Sequence, residues 1–288
     1  MSTDSRSLRP VVRPLIDRFG FPQLLATTLV LVAATILLGV AAKATGSGLA
    51  CEANWPQCDA GPYNLLPANL PSFYEWFHRF VAMFAGFAIV GSALAAWRLP
   101  TVDRRVARLV VLGMILTPIQ VVLGRETVLQ YEMTILSLHF WTAVLIFVLF
   151  VVATVLVWQS KLTSAHAVVA LAVGVVALAL HVALSPVVGT ATVNYSPTMQ
   201  LVQYGVTLTL LGSTIVAAMV VRDRFEDRLT VASALATPPL VVAVLFFGRR
   251  AVNPALEVPY LILAAVLLVA FLVSVRFVRS ASSTRSNA

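Results

Sequence analysis

The chain has 288 residues, of which 59% are hydrophobic and 11% are charged, and its mean hydropathy is +0.91. This composition excludes a soluble globular domain and predicts an integral membrane protein. The formal net charge of +8 would suit an anionic partner such as nucleic acid. In a protein with many membrane spans, however, Lys and Arg mainly report which loops face the cytoplasm, so we expect no nucleic-acid partner.

Eight apolar runs are long enough to cross about 30 Å of hydrocarbon as helices. In chain order they cover 24–44, 74–97, 107–124, 134–158, 166–185, 199–221, 230–248 and 258–278. The sequence therefore predicts an all-α polytopic membrane protein with eight transmembrane helices. The run at 107–124 is the shortest, and prolines lie in or beside 166–185 and 230–248, so we expect a kink or a displaced boundary in these three.

Basic residues are distributed unequally between the two sides of the membrane. If the N-terminus is cytoplasmic, fifteen Lys and Arg lie on that side, four lie opposite and Arg79 lies within a span. The sequence thus predicts a multi-pass protein of the cell membrane with cytoplasmic tails at 1–23 and 279–288. The first 23 residues contain no apolar core with a small-residue cleavage site, so no removable signal peptide is expected.

Two weak internal similarities predict that the chain is a duplicated four-helix unit. TPIQVV at 117–122 resembles TPPLVV at 237–242, and VGSALAAWR at 90–98 resembles LGSTIVAAM at 211–219. We therefore expect two pseudo-repeated four-helix bundles, at 24–158 and 159–278. The halves differ chemically, because polar residues at the outer helix ends are concentrated in the first half and no histidine follows His181.

Two histidines are predicted at one depth in the membrane. His78 lies about four residues inside the second span and His139 about five residues inside the fourth, which is roughly 6–8 Å below the outer surface for each. Imidazoles that face each other at one level of a bundle could ligate a haem iron from opposite sides. The alternative is that each histidine only donates a hydrogen bond to a neighbouring helix.

Glu75 and Arg79 flank His78 on the same helix. Glu75 lies three residues before His78, so the two share a helix face and the carboxylate could relay protons or stabilise a developing cation. Alternatively, Glu75 only forms an ion pair with Arg79 at the favourable spacing of four residues. Arg79 could instead neutralise a haem propionate, because Arg commonly binds carboxylates.

The two cysteines of the chain, Cys51 and Cys58, lie in the loop TGSGLACEANWPQC. A structural disulfide is reasonable in a loop outside the cytoplasm, while a redox-active dithiol and two free thiols are the alternatives. Two other polar residues lie within predicted spans. For His181 we expect a hydrogen bond to a neighbouring helix, although it could also line the cavity around His78. For Gln120 we expect a hydrogen bond either to a neighbouring helix or to carbonyls that Pro118 leaves free.

This set of motifs resembles the haem A synthase family. The resemblance consists of TGSGLAC with WPQC, the E-x-x-H-R of Glu75, His78 and Arg79, QVVLGRETV at 120–128, and the L-H-F around His139. It implies a membrane enzyme that oxidises the C8 methyl group of haem O to the formyl group of haem A for terminal oxidases. It also implies that His78 and His139 hold the iron of the substrate haem, that Glu75 is the catalytic carboxylate, and that Cys51 and Cys58 pair.

The second half departs from the family. Two-half members carry another histidine pair on spans six and eight that holds a prosthetic haem b, and these spans have none here, so the haem b site is expected to be lost. The alternatives to the enzyme are a bis-histidine electron carrier and a non-catalytic haem chaperone. The expected partners are haem O and the lipid bilayer, together with two candidate proteins, haem O synthase and a terminal oxidase. An oligomer is also compatible with the sequence.

Overall fold

Eight long helices form the protein. The computed structural model describes residues 20–51, 54–56, 58, 66–67, 69–188, 195–249 and 253–286, with side chains up to residue 280. The helices are α1 Phe21–Ala44, α2 Leu70–Arg98, α3 Arg104–Leu129, α4 Met133–Trp158, α5 Ser164–Ala183, α6 Pro197–Arg224, α7 Arg228–Gly248 and α8 Pro254–Ser286. Short 3₁₀ turns at Ser47–Leu49 and Gln159–Lys161 follow α1 and α4.

Each of these helices contains a segment that is long and apolar enough to cross a membrane, which confirms the eight predicted spans and the all-α membrane class. The largest boundary differences are at α8, which continues to Ser286 instead of ending at 278, and at the third span, which continues to Leu129 instead of ending at 124. Its last turns carry Arg125 and Glu126, which end the apolar run without ending the helix. The fifth span ends at Ala183, two residues earlier than predicted.

Side chains just before several helices explain where those helices begin. Asn69 accepts a hydrogen bond from the backbone N–H of Ser72 at 2.9 Å at the start of α2. Asp227 accepts one from the backbone N–H of Thr230 at 2.8 Å at the start of α7. Hydrogen bonds from Thr230 hold the pKa of the exposed Asp227 carboxyl below its ordinary value. Such caps satisfy donors that the first helical turn leaves unpaired.

The helices pack as two bundles with the same connectivity. In the first half α1 contacts α2 and α4, and α3 contacts α2 and α4; in the second half α5 contacts α6 and α8, and α7 contacts α6 and α8. The halves meet mainly where α6 packs against α1 and α4. This shared connectivity is what a duplicated unit would produce, although the duplication itself stays a prediction.

The interior is apolar and hydrogen-bonded, and the perimeter is apolar as well. Phe150 and Phe271 are fully buried, whereas Phe87 is 66% exposed and faces outward, as expected where lipid is the solvent. The buried hydroxyls of Thr28 and Ser92 lie 2.9 Å apart and join α1 to α2. Packing of this kind holds the helices in place around a cavity in the first half.

A disulfide joins Cys51 to Cys58 in the connection between α1 and α2, as predicted. Both cysteines are buried, and the Ser72 hydroxyl at the start of α2 donates a hydrogen bond to the Ala50 carbonyl at 3.1 Å. The loop is therefore tied to both helices. We call the side of the bundle that carries this bond the disulfide side.

Replacing both Cys51 and Cys58 with Ser is expected to lower the free energy of unfolding by roughly 2–3 kcal/mol, because the bond restricts the unfolded chain. The measurement is the midpoint of thermal unfolding of the purified protein in detergent, with and without a reductant. The reductant should lower the midpoint of the wild type and leave that of the double variant unchanged. Equal effects on the two proteins would contradict a structural role for the bond.

Candidate functional site

A cavity of about 730 Å³ lies inside the first half, on its disulfide side. Its walls come from α1, α2, α3 and α4, and Trp55 and Pro56 of the disulfide loop lie at its edge. Its volume falls within the range of cofactor sites, roughly 300–1,000 Å³. The lining is mainly apolar, and its charged, imidazole and amide side chains are those of Lys43, Glu75, His78, Arg79, Gln120, His139 and Arg249.

The structure brings His78 and His139 to this one cavity from two different helices. His78 is on α2 and His139 is on α4, and both side chains line the cavity. The predicted convergence of the two imidazoles is therefore present, while their binding of an iron stays a prediction.

Each of the two imidazoles packs against a glycine of a neighbouring helix. A Cβ atom built on Gly39 of α1 would lie 3.0 Å from Cε1 of His78, and one built on Gly124 of α3 would lie 3.0 Å from Cε1 of His139. Both contacts are tighter than ordinary van der Waals contact. The two glycines therefore leave the space that the rings occupy, and a larger residue would push either ring into the cavity.

The unpaired nitrogen atoms of these rings fit a metal-binding role. Nδ1 of His78 and Nδ1 of His139 are buried without a hydrogen-bond partner in the described part of the chain. Buried polar atoms in proteins nearly always have a partner, so these two nitrogens lack the hydrogen bonds that are usual for buried polar atoms, as do Nε2 of His181 and the hydroxyl of Tyr260 in the second half. A neutral imidazole with an available nitrogen is a common ligand of haem iron, and the apolar walls suit a porphyrin.

Substituting Ala for Gly39 or Gly124 is expected to shift the absorption maximum of bound haem and to weaken haem binding by about 10–100-fold, because each change displaces an imidazole. Gly91→Ala is the matched control, since a Cβ at Gly91 of α2 would meet nothing within 4 Å. Haem titration followed by absorption spectroscopy measures both effects. Spectra that match the wild type in both cavity variants would show that the imidazole positions do not matter.

Glu75 and Arg79 form an ion pair at the edge of the cavity. Glu75 is 6% exposed, and Nε of Arg79 lies 3.0 Å from its Oε1. Arg79 also donates from Nη1 to the carbonyls of Asn54 at 2.8 Å and Pro56 at 3.3 Å. The ion-pair interpretation is thus present in the structure, and the same guanidinium ties the disulfide loop to α2.

Gln120 on α3 lies beside His139, with its Nε2 atom 3.3 Å from the ring Nε2. This contact confirms the expected interaction of Gln120 with a neighbouring helix. The amide is therefore placed to influence the orientation of the His139 ring, a role that the sequence did not predict.

Arg249 also lines the cavity, although it belongs to the second half. It follows the last residue of α7, and its guanidinium carbon lies 3.7 Å from the centre of the Phe140 ring on α4. Nη1 donates a hydrogen bond to the Tyr204 hydroxyl on α6 at 3.0 Å. From the sequence, Arg249 is expected only in a loop on the side opposite the N-terminus. The signal that could have found it is that Arg249 follows Gly248 as Arg125 follows Gly124.

The corresponding region of the second half is occupied by side chains that bond to one another. His181 is 3% exposed, and its Nδ1 lies 2.7 Å from the Thr207 hydroxyl on α6, which confirms its expected structural hydrogen bond. Gln203 donates to the carbonyl of His181 at 3.2 Å and accepts from the Tyr195 hydroxyl at 2.6 Å. Burial raises the pKa of Tyr195, which lies before α6, so this hydroxyl stays a donor.

Among the described residues of the second half, α6 and α8 carry no histidine pair equivalent to His78 and His139. Tyr260 is the sixth residue after the start of α8, as His139 is the sixth after the start of α4, and it is fully buried. A Cβ on Gly248 would lie 3.0 Å from Cε2 of Tyr260, which repeats the contact of Gly124 with His139. A tyrosine thus occupies the equivalent position, its ring packed against that of His181.

Comparison with known proteins identifies one family and two groups of relatives. Residues 22–203 match the model of the family described as Cytochrome oxidase assembly protein, COX15-CtaA. Heme A synthase of Exiguobacterium sp. is 31% identical over 129 residues, which are 43% of this chain and 41% of that protein. Heme A synthase of Bacillus licheniformis is 29% identical over 123 residues, or 42% of this chain and 40% of that protein.

A second group of relatives has a different name. Protoheme IX farnesyltransferase of Halobacterium salinarum is 36% identical over 110 residues, which are 38% of this chain and 23% of that protein. The alignments thus span between about a fifth and two fifths of the length of these curated relatives. No solved structure matches the chain significantly. Because the family model covers more than half of the residues, including the whole first half, the chain belongs to the COX15-CtaA family of cytochrome oxidase assembly proteins, the haem A synthase family.

Proposed function

We propose that this protein is a haem A synthase, which oxidises the C8 methyl group of haem O to the formyl group of haem A. The observation that carries the proposal is one cavity, in a multi-pass membrane protein of this family, that is lined by two imidazoles and a buried carboxylate. The conversion adds the oxygen atom of one water molecule to the methyl carbon and releases four protons and four electrons, which an electron acceptor must take up. It needs a site that holds the macrocycle and stabilises the charge that develops at the methyl carbon.

His78 and His139 hold the iron of haem O in this proposal. They come from α2 and α4, and each has an unpaired ring nitrogen in the described structure. Gly39 and Gly124 set the position of the two rings. The macrocycle itself carries the electronic part of the chemistry, and the protein positions it.

Glu75 is the catalytic carboxylate of the proposal. Loss of hydride equivalents leaves the methyl carbon electron-poor, and a carboxylate in a site of low dielectric stabilises that positive charge. Glu75 is the only acidic side chain among the described residues that line the cavity. Arg79 holds Glu75 in place through their ion pair. The predicted contact of Arg79 with a haem propionate would compete with this ion pair.

Haem O enters from lipid between α2 and α3. Met83, Phe87 and Val90 of α2, together with Val121 of α3, line the cavity and are also 40–66% exposed at the perimeter. An apolar opening of this kind suits a substrate with a long isoprenoid tail. A cell-membrane location with both termini cytoplasmic would put the cavity just beneath the outer surface. The proposed partners are haem O synthase, which supplies haem O, and a terminal oxidase, which receives haem A.

The test is to express the chain in cells that make haem O but lack haem A, and to separate the extracted haems by chromatography. A haem A peak that depends on the chain is expected. Haem O that remains unchanged while the purified chain carries a bis-histidine haem spectrum would contradict the enzyme.

That second outcome would instead identify an electron carrier or a haem chaperone. One observation favours these alternatives: Tyr260 and His181 fill the region in which the family places a second haem, so no internal electron acceptor is supported. The experiment above separates them from the enzyme, because neither converts haem O.

A further inference from the structure

The charges around the cavity do not balance. Its lining contains three cationic side chains, Lys43, Arg79 and Arg249, and one carboxylate, Glu75. Arg79 is paired with Glu75. No carboxylate of the described residues forms a salt bridge with Lys43 or Arg249. The described residues of the lining therefore include two more cationic than anionic side chains, which complements a ligand with two carboxylates.

The two cations lie close to the two imidazoles. Lys43 is four residues after Gly39 on α1, so it lies on the same helix face, about 6 Å nearer the disulfide side than the glycine that contacts His78. Arg249 packs on Phe140, the residue that follows His139. Lys43 and Arg249 both line the cavity, so an anion bound inside it can lie within reach of each.

The Arg249 side chain is held in a defined position. Phe140 lies under the guanidinium, and Tyr204 accepts one of its hydrogen bonds at 3.0 Å, with the Tyr204 ring centre 5.8 Å from the guanidinium carbon. A guanidinium has five N–H donors in a planar fork, so donors remain for a carboxylate. Aromatic packing of a cation reduces the conformational freedom that it would lose on binding.

We propose that Lys43 and Arg249 form a clamp for the two propionates of the macrocycle, and hence that the second half completes the substrate site of the first. This inference rests on the proposed function. It sets the orientation of the substrate, with its propionates towards the disulfide side and its apolar edge towards the membrane interior. In haem O the C8 methyl group shares its pyrrole ring with one propionate. Glu75 lies about 4.5 Å nearer the disulfide side than His78 along α2. A clamp that holds the propionates on the disulfide side therefore brings the C8 methyl group towards the level of Glu75.

The test compares ferric haem b, which has two free propionates, with its dimethyl ester, using titration of the purified full-length chain in detergent. The wild type is expected to bind the free acid at least about tenfold more tightly than the ester. Arg249→Gln and Lys43→Gln should each weaken binding of the free acid about tenfold, and the double variant should bind acid and ester equally. The spectrum of bound haem should stay bis-histidine throughout, because the imidazoles are unchanged.

Arg125→Gln is the matched control, because Arg125 is on the same side, pairs with Glu126 and does not line the cavity. Lys43→Gln keeps the test valid if loss of Arg249 disturbs folding, since Lys43 is exposed. A wild type that binds acid and ester equally, or single variants that bind the acid as tightly as the wild type, would overturn the clamp alone. A wild type that binds neither compound would contradict the proposed haem site, and with it the proposed function.

Discussion

Replacing His78 or His139 with Ala is expected to weaken haem binding by roughly 100-fold or more and to abolish the bis-histidine absorption spectrum. Loss of groups that only orient metal ligands costs about 10–100-fold in affinity, so loss of a ligand should cost at least as much. Each ring is half-buried and packs against its glycine, and in the proposal it supplies the bond to iron that the variant loses. Haem titration of each purified variant measures the effect.

The control is His166→Ala. His166 lies at the start of α5, where its Nδ1 is 2.8 Å from the Thr163 hydroxyl, and it does not line the cavity. Its replacement should leave haem binding unchanged. If His78→Ala and His139→Ala also retained the wild-type spectrum, the two imidazoles would not be the iron ligands and the proposed site would be wrong.

Glu75→Gln is expected to reduce haem A formation by roughly 10²–10³-fold while haem O stays bound. Loss of one preorganised electrostatic group commonly costs this much in rate, or about 2.7–4 kcal/mol of transition-state stabilisation. The amide keeps the size of the side chain and can still accept a hydrogen bond from Arg79, so the fold and the haem site should survive. Chromatography of extracted haems gives the activity, and the absorption spectrum gives the binding.

Glu126→Gln is the matched control for this change. Glu126 also pairs with an arginine at 2.9 Å on the disulfide side, but it does not line the cavity. We expect the control to produce haem A at the wild-type level. Full activity in Glu75→Gln would reduce Glu75 to a structural partner of Arg79, and loss of both activity and bound haem would assign it to haem binding.

The two halves share one connectivity but differ in what they enclose. The first has a cavity between histidines, and the second has Tyr260, His181 and Gln203 packed together in hydrogen-bonded or fully buried positions. The proposed clamp gives the second half a function beyond support, because Arg249 reaches the cavity from the end of α7.

Sequence reasoning worked where the relevant physics is local. A run of about 20 apolar residues predicts a span regardless of its neighbours, and all eight spans were found. The constant rise of a helix likewise placed His78 and His139 at similar depths, and both line one cavity. The cysteine pair was predicted from the loop, and the i,i+4 spacing offered the Glu75–Arg79 ion pair as one of two interpretations.

Contacts between helices were decided only by the tertiary structure. Gly39 and Gly124 look like ordinary small residues of apolar runs, and their importance depends on which ring packs against them. Arg249 is 109 residues beyond Phe140 in the chain, and hydropathy assigns it only to a loop. An apolar pattern shows that a segment avoids water. Because lipid is as apolar as a protein interior, the pattern does not show which face of a span meets another helix, and only packing decides that.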